Sequence, residues 1–218
     1  MDVMKKIISI FSILVFSVSA YSQGLKPVKI DSLVSVLMPV KYDVKDTAGQ
    51  KIFTGNGNMG YMIVIRSANN NPALKKEKDL NKVFKEYIKK VHAQSAGSIM
   101  DSRDTTIGEL KAKVFGLETN DQNGVEIRNF TVLYTKDALY TFEYVYPASR
   151  KDLVQKENKA FFSSINVSST LHRTDQYTNT TPAGMSSTAR IALFGGGGLV
   201  LLLAGYFIYR KKTETAMS

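Results

Sequence analysis

The sequence predicts an α+β domain in which an antiparallel β-sheet meander carries two packed helices. Three observations lead to this fold class. Apolar residues mostly alternate with polar ones between Val28 and Val167, which is typical of strands with one buried face. Short turn signals separate these segments, so neighbouring strands are expected to pair antiparallel. Two segments break the alternation and place apolar residues at helical spacing instead.

The first strands are predicted from short apolar runs that end at turn residues. Residues 34–38 form one such run, which Pro39 ends. Residues 51–54 and 60–66 flank the sequence Gly-Asn-Gly-Asn at 55–58. Glycine and asparagine tolerate the backbone angles of tight turns, so this pattern predicts a β-hairpin.

A long amphipathic helix is predicted from Asp79 to Gln94. Its apolar stripe follows a period of 3.6 residues and consists of Leu80, Val83, Phe84, Tyr87, Ile88 and Val91. The polar face is rich in lysine, and Lys82, Lys85 and Lys89 are candidate binding residues. Such a face is either simply solvated or a contact for an acidic partner or for anionic lipid headgroups.

Four strands are predicted after this helix, joined by short turns. Lys111 and Lys113 alternate with apolar residues, as in a half-buried strand, and Asn123-Gly124 marks a turn. The aromatic residues of the last strand share one face: Tyr140, Phe142, Tyr144 and Tyr146. The consecutive order of these strands predicts a meander.

A second helix is predicted over residues 149–163. Ser149 and Asp152 resemble a capping box at its start. Its inward-facing residues are predicted to be Leu153, Ala160 and Phe161. Ile165 to Val167 then adds a last short strand, so the extracytoplasmic domain is expected to span residues 23–167.

Residues 1–22 are predicted to be a signal peptide. Lys5 and Lys6 form a positive start, an apolar run follows, and small residues precede a cleavage point after Ser22 or, as an alternative, after Ala20. The chain is therefore expected to leave the cytoplasm, and its domain is expected in the periplasm or on the surface of a bacterium.

The C-terminal part predicts a membrane anchor. Residues 168–189 are rich in Ser and Thr and predict a flexible stalk. Residues 190–209 predict one transmembrane helix, because the uncharged run within them is about 28 Å long as a helix. The basic tail, residues 210–218, begins with Arg210, Lys211 and Lys212 and is expected to stay in the cytoplasm.

A run of four glycines interrupts this apolar segment: Gly195, Gly196, Gly197 and Gly198. Glycine lowers helix propensity and lets helices approach closely. The run is compatible with a plain anchor, with helix association, or with a sorting tail that a protease processes. The segment is similar to the C-terminal sorting tails processed by rhomboid-type or sortase-type proteases, although those tails usually place the glycines before the apolar run.

The sequence offers little material for catalysis. The chain has no cysteine, which excludes disulfides and thiolate chemistry. His92 and His172 stand apart from carboxylates at metal-ligand spacing, so neither a metal site nor another cofactor is predicted. The net charge of +10 lies partly in the two ends, and a nucleic-acid binder usually concentrates a stronger bias, so no nucleic-acid partner is expected. We expect no enzyme activity.

The order of these segments resembles the PsbP-like family. The features that carry the resemblance are a strand ending at Pro39, a Gly60-Tyr61 strand, one amphipathic helix, a meander with Leu139-Tyr140, and a final helix ending in Phe-Phe-Ser-Ser. The family includes an extrinsic subunit of photosystem II and many exported bacterial proteins. The resemblance implies an accessory or binding module and implies no catalytic residues.

Three functions remain open at this point. The first is a membrane-anchored extracytoplasmic accessory module that binds a protein partner in an envelope assembly. The second is a small-molecule or lipid-binding domain with a pocket between sheet and helix, lined by Phe84, Tyr140 and Tyr144. The third is a hydrolase whose site has no sequence motif. A surface protein with a processed C-terminal sorting signal is a further alternative.

Overall fold

The computed structural model describes residues 24–47, 49–95, 97–121 and 124–178, and the structural statements below concern these residues. Its strands are β1 Leu25–Lys29, β2 Val34–Pro39, β3 Asp43–Thr47, β4 Gln50–Asn56, β5 Tyr61–Ala68, β6 Ser98–Ile107, β7 Leu110–Asp121, β8 Gly124–Tyr134, β9 Ala138–Pro147 and β10 Asn166–Val167. Its α-helices are α1 Glu77–Ser95 and α2 Gln155–Ser163. The mixture of antiparallel sheet and helices confirms the α+β class.

Seven strands form the large sheet, in the order β3-β4-β5-β9-β8-β7-β6. Every neighbouring pair is antiparallel. The run from β6 to β9 is the predicted meander, and β4 and β5 form the predicted hairpin. Strand β9 lies at the centre of the sheet and is buried on both faces. This burial explains why its sequence is almost entirely apolar and aromatic.

The sequence predicted one sheet, and the structure has a second one. Strands β1, β2 and β10 form a three-stranded antiparallel sheet in the order β1-β2-β10. The alternation in β2 buries Val34, Val36 and Met38 in the same core cluster as residues of the large sheet. The small sheet therefore packs face to face on the large sheet instead of extending it.

The large sheet separates two main apolar cores, and a smaller cluster around Ile63 and Val145 lies beside the second. We call the side that carries Tyr140, Phe142 and Tyr144 the first face; it packs in one cluster with the small sheet and with Phe161 of α2. We call the side that carries Leu139 and Thr141 the second face; it packs against α1 in a cluster that includes Phe115, Phe130 and Val132. Successive side chains of a strand point to opposite sides, so both cores draw on the same strands.

Helix α1 confirms the predicted amphipathic helix and extends it to Glu77 and Ser95. Its buried residues Leu80, Val83, Phe84 and Val91 belong to the predicted stripe, and Tyr87 and Ile88 pack beside them. Glu77 and Asp79 lie in the first turn, where negative charge favours the N-terminal end of a helix.

Helix α2 begins later than the sequence predicted. A short 3-10 helix at Ala148–Arg150 and a turn precede it, and no side chain caps its first turn at Val154. The capping box expected at Ser149 is therefore wrong. Leu153, predicted to face inward, is 63% exposed, because the late start turns Val154 into the core instead. Phe161 is buried as predicted.

The folded domain continues beyond Val167 and ends with a segment that we call the C-terminal strap, Ser168–Thr178. The sequence placed these residues in a stalk. In the structure Leu171, Gln176 and Tyr177 are buried, and Tyr177 forms a parallel bridge with Leu74. A Ser- and Thr-rich composition does not exclude docking, because polar residues can pack when their hydrogen bonds are satisfied.

Gln176 holds the strap to two strands of the large sheet. Its side-chain oxygen accepts the Lys111 amide at 2.8 Å, and its side-chain nitrogen donates to the Lys111 carbonyl at 2.8 Å and to the Tyr134 carbonyl at 2.9 Å. The Lys136 side chain adds an ion pair with Asp175 at 2.9 Å. Gln176 thus takes the place of a neighbouring strand for these backbone groups.

Replacing Gln176 with alanine is expected to lower the free energy of unfolding by about 1–3 kcal/mol, because buried backbone groups lose their partners. Urea unfolding of the full chain in detergent, followed by circular dichroism, measures this change. Gln155→Ala, at an exposed position of α2, is the control and should change stability by less than about 0.5 kcal/mol. Equal effects of the two substitutions would contradict the role given to Gln176.

Several predictions concern residues outside the described ranges. These are the signal peptide, residues 179–189 of the stalk, the transmembrane helix and the basic tail, with the residues Gly195, Gly196, Gly197, Gly198, Arg210, Lys211 and Lys212. Within the described residues, no helix is long and apolar enough to span a membrane.

Candidate functional site

The pocket predicted between the sheet and the first helix does not form as expected. Phe84 packs on the second face of the large sheet, whereas Tyr140 and Tyr144 lie on the first face. The sheet itself separates them, so the three side chains cannot line one cavity. The error arose because the aromatic face of β9 was assigned to α1, when the small sheet and α2 cover it.

Tyr140 is part of a polar cluster at the edge of the first core. Its hydroxyl donates to Asp31 at 2.6 Å, and Arg66 donates to the same carboxylate at 2.7 Å. The backbone amides of Leu33 and Val34 donate to the other oxygen of Asp31. Burial acts to raise the pKa of Asp31, but these hydrogen bonds outweigh it and hold the pKa below its ordinary value. The cluster joins the turn before β2 to β5 and β9.

Tyr144 makes a second contact of the same kind. Its hydroxyl donates to Glu157 of α2 at 2.9 Å, and Glu157 also accepts the Asn58 amide at 2.8 Å. The β4–β5 turn therefore sits against both side chains. A Cβ atom at Gly60 would lie 2.5 Å from the Tyr144 ring, so this turn requires glycine there. Burial raises the pKa of Tyr144, and the hydrogen bond to Glu157 adds to the effect.

An ion pair lies in the interior on the second face, beneath α1. Arg128 of β8 is hydrogen-bonded to Glu143 of β9, and the Glu143 side chain is 0% exposed. The Arg128 guanidinium stands 5.7 Å from the Phe130 ring centre. One Glu143 oxygen, Oε2, has no hydrogen-bond partner among the described atoms. Burial raises the pKa of Glu143, and the charge of Arg128 opposes that shift.

Sequence reasoning missed this pair, although a signal existed. Glu143 is the one charged residue within the strand β9. A carboxylate in a strand buried on both faces needs a cation nearby, and Arg128 in the preceding strand was available to supply it. The pairing itself required the strand register, which places Arg128 opposite Val145, two residues from Glu143.

In each of these three clusters the domain's own groups bind the carboxylate, and Glu143 Oε2 alone lacks a hydrogen-bond partner among the described atoms of the clusters. Asp31 and Glu157 bind backbone amides and tyrosine hydroxyls, and Glu143 binds Arg128. Among the described residues, no three His, Asp or Glu side chains are placed to hold a metal ion. His92 is exposed on α1, and His172 lies on the surface 3.1 Å from Glu109. The hydrogen bonds of Asp31 and Glu157 and the Arg128–Glu143 pair therefore join parts of the fold to one another.

The exposed face of α1 carries a different kind of feature, a row of four lysines. Lys78 precedes the predicted candidates Lys82, Lys85 and Lys89, and all four are exposed. The spacing of four, three and four residues places them within an arc of about 60° and along about 16 Å of the helix. We call these four residues the lysine row.

The charge of the lysine row is not neutralised by ion pairs within the described residues. Glu77, at the start of the helix, pairs with Lys111, and this contact holds the pKa of Glu77 below its ordinary value. Glu86 lies on the helix surface nearby and interacts with Lys90. The row is therefore a strip of positive charge that the fold itself does not use.

The C-terminal strap ends beside the first turn of α1. The Thr178 amide donates to the Leu74 carbonyl at 2.9 Å, and the Tyr177 hydroxyl lies 3.4 Å from Glu77. Lys78 follows Glu77 in the chain. The described chain therefore ends at the end of α1 where the lysine row begins.

Comparison with known proteins gives one argument about the fold. No family model matches the chain, and no curated protein matches it. The solution structure of cyanobacterial PsbP (CyanoP) from Synechocystis sp. PCC 6803 is similar, with a TM-score of 0.50 and 19% identity over 69% of this chain and 96% of that chain. A crystal structure from Bacteroides thetaiotaomicron VPI-5482 has a TM-score of 0.42 and 14% identity over 67% of this chain and 49% of that one.

At this identity the likeness to CyanoP concerns the fold alone. It agrees with the order of elements that the sequence suggested, from the β2 strand ending at Pro39 to the helix ending at Ser163. The chain has a PsbP-like fold.

Proposed function

We propose that this protein is a membrane-held extracytoplasmic accessory module that works by binding through its surface and not by catalysis. The observation that carries the proposal is the lysine row, a strip of exposed charge without partners in the described domain. The PsbP-like fold agrees with it, because a similar structure is that of a protein named cyanobacterial PsbP.

The proposed location and membrane topology of the module rest on its sequence. Residues 1–22 carry the signature of a signal peptide, and residues 190–209 have the length and apolarity of one transmembrane helix. The basic tail that begins at Arg210 orients such a helix with the domain outside the cytoplasm.

Fractionation of cells that express the full chain tests the proposed membrane attachment and topology. The chain is expected in the membrane fraction after alkaline carbonate washing, and protease added outside the cytoplasmic membrane is expected to degrade its domain. Deletion of residues 191–209 is expected to release the domain in soluble form. A carbonate-soluble full chain, or a domain protected from external protease, contradicts the proposed topology.

In-cell crosslinking tests the binding role. A photoreactive residue at Asn81, exposed on α1 beside the lysine row, is compared with one at exposed Gln155 on α2. The proposed function predicts reproducible products at Asn81, with protein or lipid, that exceed those at Gln155. Equal labelling at the two positions would remove the support for a binding surface on α1.

A further inference from the structure

The C-terminal strap changes the place at which the chain leaves the domain. Without it the domain would end at β10, which belongs to the small sheet on the first face. The strap instead crosses to the second face, where Tyr177 and Thr178 contact Leu74 and Glu77. The exit point thereby moves from the small sheet to the N-terminal end of α1.

A short segment of sequence separates this exit point from the predicted membrane helix. Twelve residues, 179–190, separate Thr178 from the uncharged run that starts at Ile191. For the flexible stalk that the sequence predicts, this length corresponds to a root-mean-square span of about 20 Å. Helix α1 is itself about 28 Å long, so a tether of this length keeps the first turns of α1 near the bilayer surface.

The composition of the lysine row favours lipid headgroups over a protein surface. Protein interfaces are built on aromatic, methionine and arginine anchors and are depleted in lysine. The exposed large apolar residues of the described chain are Val40, Val44, Met59 and Leu153, and all of them lie outside α1. A row of lysines without such anchors is better suited to a bilayer surface with anionic headgroups. Such a surface attracts basic residues by its charge and needs no shape complementarity.

We propose that the lysine row binds anionic phospholipid headgroups of the bilayer that holds the chain, and that the C-terminal strap orients α1 toward that bilayer. The inference rests on the proposed membrane attachment for its geometry. The ligand class is the phosphate-bearing anionic headgroup, and the contact is electrostatic, so it weakens as the ionic strength rises.

The experiment uses the full chain and vesicles of phosphatidylcholine, with or without about 30% phosphatidylglycerol. Because the chain has no cysteine, Asn81→Cys provides a single position for a fluorophore on α1, and Gln155→Cys provides the matching position on α2. Energy transfer to a headgroup acceptor reports the distance of each label from the bilayer. Flotation of the unlabelled chain reports attachment separately.

We expect the Asn81 label to approach the bilayer when phosphatidylglycerol is present, and to withdraw again at about 1 M salt, where screening acts within about 3 Å. The Gln155 label should not respond. Combining Lys82→Glu, Lys85→Glu and Lys89→Glu should abolish the approach, because the reversed charges are repelled by the anionic headgroups. The control combines Lys151→Glu, Lys156→Glu and Lys159→Glu, which change the net charge equally at exposed positions near and in α2 and should retain the response.

The outcomes separate the inference from the proposed function. A chain that floats with both vesicle types but shows no lipid-dependent change at Asn81 overturns the lysine-row proposal and leaves the attachment standing. A chain that floats only with anionic vesicles, and loses this on reversal of the row, supports the lysine row and overturns the membrane anchor. A loss of the response that the control variant shares overturns the assignment of the contact to the lysine row.

Discussion

Replacing Arg128 with alanine is expected to lower the free energy of unfolding by about 3–5 kcal/mol. The substitution leaves the carboxylate of Glu143, which is fully buried in the folded domain, without the cation that compensates its charge. Urea unfolding of the full chain in detergent measures the effect. The comparison is Asp104→Ala, which breaks a pair between the 74% exposed Asp104 and Lys113 and should cost no more than about 1 kcal/mol.

Two further measurements separate the buried charge from a loss of packing. The double variant Arg128→Met with Glu143→Leu should be far more stable than Arg128→Ala, because apolar residues of similar volume often replace a buried pair without loss. The single variant should also regain stability as the pH falls toward about 4, since the raised pKa of Glu143 favours its protonated form in the folded state. A double variant as unstable as Arg128→Ala would show that packing dominates.

The second large effect is expected at Asp31. Asp31→Ala removes the acceptor of the Tyr140 hydroxyl, of Arg66 and of two backbone amides, and should lower the free energy of unfolding by about 2–4 kcal/mol. Asp43→Ala, at an exposed position of the edge strand β3, is the matched control and should have an effect below about 0.5 kcal/mol.

The effect at Asp31 should depend on pH in a defined direction. The pKa of this carboxyl is lower in the folded state than in the unfolded state, so its contribution is complete above the unfolded pKa of about 3.9. The contribution is lost as the pH falls through the lower folded value. The difference in free energy of unfolding between the wild type and Asp31→Ala should therefore be constant above about pH 5 and become smaller below pH 4. A difference that stays constant down to pH 2 would assign the effect to packing.

Local patterns in the sequence were sufficient for most elements of the fold. Helix α1 was predicted within two residues at its start and one at its end, and the hairpin of β4 and β5 and the β6–β9 meander were also predicted. These elements are defined by periodicity and turn residues, which act between neighbours in the chain. The exposed lysines of α1 follow from the same periodicity.

The parts that depend on distant contacts could not be predicted in the same way. The alternation of β9 showed that Tyr140 and Tyr144 share a face, but it did not show which helix covers that face. The Arg128–Glu143 pair needed the register of two strands. Docking of the C-terminal strap depends on Gln176 meeting backbone groups of Lys111 and Tyr134, which lie far from it in sequence.

The C-terminal strap also determines how the domain responds to tension. A pull on the chain beyond Thr178 reaches the Tyr177 bridge to Leu74 and the Gln176 hydrogen bonds before it reaches β10. These few contacts can break one after another, whereas the strands of a sheet separate only when many hydrogen bonds break together. The eleven residues Ser168–Thr178, once released, have a fully extended length of about 36 Å. Release of the strap also withdraws Leu171 from the first core and Tyr177 from the second, so tension on the chain is expected to loosen this edge of both cores before the strands separate.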